Sequence, residues 1–196
     1  MESNWLGSLV VALTLATALY MLVSRDWRWG IAALGLQYVW AFLLVTTAWP
    51  LELAAVKLVT GWIAASVLGL TRMNLSEETA SGSLPSGTAF RLLAAGLVLL
   101  LVLGAAPRLV EWSPAFGINQ AWGGLLLIGM GLMQIALRSS LFRNALGLLT
   151  LFSGFEILYA AVESSTLVAG LLAAVNLGVA LVTAYLLTAP TLEAEE

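Results

Sequence analysis

The sequence contains no cysteine and no histidine, and charged residues make up only 10% of its 196 positions. Each absence closes off a chemistry. Iron–sulfur clusters are held by cysteine, and haem iron usually by histidine, cysteine or methionine. Zinc sites almost always need cysteine or histidine. The same gaps remove the usual nucleophile–base pairs of acyl transfer. No catalytic residue, metal site or cofactor is therefore expected in this chain, and without cysteine the redox compartment is unreadable. The scarcity of charge says as much. A water-soluble domain carries roughly a quarter of its residues charged. Eight basic and eleven acidic residues cannot clothe such a surface, whereas a 61% hydrophobic composition suits a chain covered by lipid. The net charge of −3 gives no reason to expect a nucleic-acid partner. The partner implied by composition is the bilayer.

What is present is a series of apolar runs of spanning length, cut by short polar or Pro/Gly segments. They read as seven transmembrane helices, at 5–23, 29–49, 51–71, 89–106, 119–137, 141–162 and 166–187. The first lacks a basic leader and a small-residue cleavage site, so it reads as a retained helix and not a signal peptide. The organisation follows: an N-terminal three-helix segment (1–71), a polar loop (72–88) with Glu77, Glu78 and Pro85, and a fourth helix ended by Pro107. That helix and an interfacial link with Arg108, Glu111 and Trp112 fill 89–118. A three-helix unit (119–190) and an acidic tail (191–196) complete the chain.

Basic residues give the expected orientation. Arg25 and Arg28, Arg72 and Arg91, and Arg138 and Arg143 flank three connections on one side, while the other side has Arg108 alone. The positive-inside rule places the three pairs in the cytoplasm, with the N-terminus outside and the C-terminus inside, in a multi-pass protein of the cell inner (plasma) membrane. Six tryptophans (Trp5, Trp27, Trp29, Trp49, Trp112, Trp122) fall at span ends, as an aromatic belt would. Gly170, Ala174 and Gly178 form a small-xxx-small face on the last helix, where a neighbouring backbone is expected to approach; Gly123, Gly124, Gly129 and Gly131 offer another.

Charge inside a span is costly and marks candidate function. Lys57 and Glu156 each lie about 9 Å below the same predicted surface, at 1.5 Å per residue, and at one level they are positioned to pair. Such a pair can exchange a proton as its neighbour moves; alternatively Lys57 snorkels to the headgroups and Glu156 is merely bonded to a partner. Glu52 and Glu163 lie at span ends and read as interfacial. Gln37 and Asn176 sit near mid-span, with Gln134, Thr150 and Ser153 as further polar groups within spans five and six. Such groups need partners and line a bundle interior, as interhelical glue or as part of a path.

The stretch Arg143-Asn144-Ala145-Leu146-Gly147, followed by Phe152-Ser153-Gly154-Phe155-Glu156-Ile157-Leu158, resembles the three-helix K subunit of bacterial complex I and the C subunit of Mrp-type antiporters. The whole chain, with Gln37 in span two and Lys57 in span three, looks like hydrogenase-4 component E of group 4 nickel–iron hydrogenases. The resemblance implies a non-catalytic membrane subunit of an oxidoreductase or antiporter complex, with antiporter-like and other membrane subunits as partners. It places Glu156 on a proton-pathway carboxylate, so Glu156, Lys57, Gln37 and Asn176 form the expected ion pathway. Two departures stand out. Phe152 occupies a position where component E carries Glu, and Asn176 (or Ala174 in another register) replaces an acid of the final helix. One membrane carboxylate is kept and another lost, which leaves a non-conducting adaptor subunit as the alternative. A small self-sufficient transporter is a third reading, disfavoured by the lack of an internal repeat.

Overall fold

The computed structural model describes residues 3–24, 26–75, 87–137 and 140–193. Arg25, Arg138, Glu77, Glu78, Pro85, Glu195 and Glu196, which figured in the expected loop, orientation and tail, lie outside them. The described chain is all-helical: α1 (Ser3–Val23), α2 (Trp27–Val45), α3 (Leu51–Met73), α4 (Thr88–Trp112), α5 (Ile118–Leu137), α6 (Leu141–Val162) and α7 (Thr166–Glu193). All seven are long and apolar enough to cross a membrane, as a multi-pass membrane protein requires. Their outward faces are apolar, with Leu93, Leu100, Leu167 and Tyr185 among many large exposed side chains. Only lipid, or protein partners within lipid, makes such a surface tolerable.

Two helices form the centre. α5 and α6 share the most extensive contact and bury the largest share of their residues. α6 also meets α2 and α7; α7 lies along α3; α4 packs on α5 and touches α1. The α5–α6 approach is made by glycine. A Cβ on Gly131 would stand 2.6 Å from the Leu151 nitrogen and 2.7 Å from the Gly147 oxygen. One on Gly154 would stand 2.7 Å from the Ile128 nitrogen and against the Gly124 carbonyl. Gly124 and Gly131 on α5, and Gly147 and Gly154 on α6, repeat at the same spacing of seven, so antiparallel helices match them pairwise. The backbones touch because nothing stands between them.

Three helix ends differ from expectation. α2 stops at Val45, not at residue 49: Thr46 and Thr47 hydroxyls donate to the Leu43 and Leu44 carbonyls at 2.8 and 2.6 Å, and Gln120 Nε2 reaches the Leu44 carbonyl at 3.3 Å. Side chains thus satisfy the carbonyls that another helical turn would use. α4 runs through Pro107 to Trp112, so Arg108, Glu111 and Trp112 belong to the helix and not to a link. Proline removes one backbone donor, a loss that membrane helices accommodate. α7 likewise continues past Pro190.

The tryptophans divide. Trp5, Trp29 and Trp112 are exposed at helix ends, as interfacial residues are. Trp49 is buried, and its Nε1 donates to the Glu163 carbonyl at 2.8 Å, tying the α2–α3 turn to the end of α6.

Candidate functional site

Lys57 and Glu156, matched in depth by the sequence, meet. Lys57 on α3 and Glu156 on α6 form a buried ion pair through Glu156 Oε2. The Lys57 ammonium also donates to Ser153 Oγ at 3.1 Å, one turn before Glu156. Asn176 on α7 donates from Nδ2 to Glu156 Oε1 at 2.5 Å. Both carboxylate oxygens are therefore engaged, each by a different helix. Lys57, Ser153, Glu156 and Asn176 are all 5% exposed or less.

Helix direction explains how Asn176 reaches Glu156. Side chains lean toward the N-terminus of their own helix. Counted from the end where α6 finishes and α7 begins, Glu156 lies about 9 Å deep and Asn176 about 15 Å. α6 and α7 run antiparallel, so Glu156 leans deeper and Asn176 shallower, and the gap closes.

A fifth residue belongs to the site, and sequence reasoning missed it. The Tyr38 ring centroid on α2 lies 5.3 Å from Lys57 Nζ, close enough for the ring face to attract the ammonium. Tyr38 reaches that place because Gly61 has no side chain: a Cβ there would collide with the ring. The available signal was the pairing of a glycine with a mid-span aromatic on sequential antiparallel helices, which becomes readable only once the facing residues are known. Tyr38 is wholly buried, and its hydroxyl has no hydrogen-bond partner among the described residues.

Gln37 is not part of this cluster. It is fully buried on α2, and neither its amide nitrogen nor its oxygen finds a partner among the described residues. Asn176 Oδ1 is also without one. Beside the ion pair lies a small void of about 10 Å³, bordered by Lys57, Thr60, Glu156 and Asn176 and, toward the start of α3, by Trp49 and Leu53. That is about the space one water needs.

The expected close-packing face on the last helix is open. Gly170 and Ala174 are exposed, and a Cβ on Gly170 or Gly178 would meet nothing within 4 Å. No described helix of this chain uses that stripe; the glycines at which two backbones touch are those of α5 and α6. Glu52 and Glu163 are exposed at helix ends.

Chemically the site is one carboxylate balanced by one ammonium, with an amide and a hydroxyl completing the shell. It offers a cation three kinds of oxygen, from Glu156, Ser153 and Asn176, but its own ammonium already takes the cation's position. No family model, curated protein or solved structure matches the chain.

Proposed function

We propose that the chain is a membrane subunit of an ion-translocating assembly of the complex-I-like, group 4 hydrogenase-like or Mrp-like kind, and that Glu156 and Lys57 form part of its ion path. The observation that carries this reading is a buried Lys57–Glu156 pair held by three helices, with a water-sized void against it. Charges so placed are costly to desolvate, and in membrane proteins they mark ion and proton routes. A proton suits the site better than sodium. Transfer between the two groups neutralises both without moving a heavy atom, whereas sodium would have to displace the ammonium. Asn176, by donating to Glu156 Oε1, ties α7 to the pair, so that a movement of α7 would change what the carboxylate is bonded to. Gln37, buried with both amide atoms unpartnered among the described residues, is the further polar group of the path, on α2. The last three helices take the part of the K-subunit unit, and the exposed apolar faces of α4 and α7 meet the larger antiporter-like subunits. Redox chemistry or antiport in those partners drives the path.

The test is ion pumping by the intact complex, reconstituted with Glu156→Gln, Lys57→Ala or the wild-type chain. Conduction through the pair requires both variants to lose most coupled transport while assembly persists. Wild-type pumping in both would remove the pair from the path. One observation favours the non-conducting adaptor instead: both Glu156 oxygens are already bonded, so the pair closes on itself as a fastener would. In that case the variants weaken assembly and leave transport per assembled complex unchanged.

The orientation belongs to the same proposal: Arg-bearing connections in the cytoplasm of a plasma membrane, N-terminus outside. Because the chain has no cysteine, single cysteines placed at the exposed Asn74 and Ser164, at opposite ends of the bundle, give a background-free accessibility test. A membrane-impermeant thiol reagent applied to intact cells should label position 164 and not 74.

A further inference from the structure

At the opposite end of the bundle from the ion pair, Arg91 is buried to 4% exposure three residues into α4, on the face shared with Ala95, Val98, Val102 and Ala106. An arginine that only marks topology would reach out to water or headgroups, as the exposed Arg28 does. Arg91 instead points inward, and its Nε has no acceptor among the described residues. No described carboxylate pairs with it: the ion pair among the described residues is Lys57 with Glu156. Its neighbourhood adds positive charge. Arg143, in the first turn of α6, lies within electrostatic reach of Arg91 and is itself held by the Ser24 carbonyl at 2.8 Å. Asp26, the nearby acid, is exposed and caps its own helix through the Arg28 amide at 2.9 Å. Gln134, three residues from the end of α5 and so at the same level, is buried with its Nε2 donor also unpartnered. α4 and α6 both begin at this end, and neither has a side-chain cap or an acidic residue in its first turn. Their free amides add the positive end of two helix dipoles.

Two buried donors without an acceptor among the described residues, Arg91 Nε and Gln134 Nε2, and two uncapped helix starts would all be satisfied by negative charge. We propose that Arg91, with Gln134 and Arg143, forms a binding site for a phosphate group at this end of the bundle. Guanidinium forks match phosphate oxygens, and basic pockets between membrane helices take anionic headgroups. The site lies about 3–5 Å in from the helix ends, at the depth where the phosphate of an anionic phospholipid sits, and free phosphate offers the same oxygens.

Native mass spectrometry of the detergent-solubilised full chain tests this, titrating phosphatidylglycerol against phosphatidylcholine. The wild type should bind phosphatidylglycerol more tightly. Arg91→Gln should lower that affinity about tenfold, the effect of losing charge-assisted hydrogen bonds, with phosphatidylcholine binding unmoved. Gln134→Leu, which keeps every charge, should lower it about threefold, and the exposed Arg28→Gln should change it less than about twofold. Inorganic phosphate identifies the source: if it displaces the lipid from the wild-type chain at millimolar concentration, soluble phosphate is a ligand too, and if it does not, the ligand is the headgroup. The proposal is overturned if Arg91→Gln and Gln134→Leu bind phosphatidylglycerol as the wild type does. It is overturned equally if Arg28→Gln loses as much as Arg91→Gln, which would mean general surface attraction, or if neither lipid nor phosphate binds.

Discussion

α6 presents two different kinds of interior to its neighbours. Toward α5 it offers Gly147 and Gly154 in a seam where backbones touch; toward α3 and α7 it offers Ser153 and Glu156 to an ion pair and an amide. The seam is held by proximity alone, each contact small and the sum large. The polar site is held by balance, since neither charge is tolerable in hydrocarbon without the other. The two interiors therefore fail in different ways. A seam loses stability in proportion to the atoms forced into it. A balanced pair fails when one member is removed and recovers when both are.

The largest expected effect breaks the balance. Glu156→Gln should destabilise the purified chain by about 3–5 kcal/mol, because Lys57 is left buried and uncompensated. Lys57→Met combined with Glu156→Met should recover most of that loss, as read by thermal unfolding in detergent. A double variant as unstable as the single ones would show that the pair's worth is not its charge balance. Next comes the seam. Gly154→Ala should cost about 1–3 kcal/mol, since the new methyl would press on backbone atoms of Gly124 and Ile128, which have no rotamer to change. Its effect should add to that of Lys57→Met/Glu156→Met within about 0.5 kcal/mol if seam and site are independent; a larger departure would show that α6 couples them.

A smaller effect separates dry from wet polar interior. Gln37→Leu removes an amide whose two polar atoms have no partner among the described residues. With the amide dry, the change should be neutral or stabilising; with water bonded to it, stability should fall by about 1 kcal/mol. The smallest effect is expected on α7. Gly178→Ala should stay within about 0.5 kcal/mol of the wild type, because the added methyl meets nothing within 4 Å. A clear loss from the assembled complex with unchanged stability of the isolated chain would assign that stripe to a partner subunit.

The same comparison explains what could be read from the sequence. Hydrocarbon thickness sets span length, so the seven helices were legible, and depth can be counted from span ends, so Lys57 and Glu156 could be matched before any contact was known. Which faces meet is not encoded in depth. Gly170, Ala174 and Gly178 have the same four-residue spacing whether or not a helix lies opposite, and here none of this chain's described helices does. The glycine matches across α5 and α6 needed the antiparallel register, and Tyr38 needed the identity of its neighbour on α3. Pro107 reads as a stop because proline breaks soluble helices, yet within lipid a helix that stopped there would strand more carbonyls than proline does.

Pro107 has a consequence for how α4 comes apart. With no amide hydrogen at 107, the Leu103 carbonyl lacks its rung, and the five residues from Arg108 to Trp112 hang from the helix by the bonds that remain. That last turn is a unit able to open and close while the rest of α4 stays wound. In hydrogen–deuterium exchange its amides should take up label well ahead of those from Ala94 to Val102, giving a single helix two clocks.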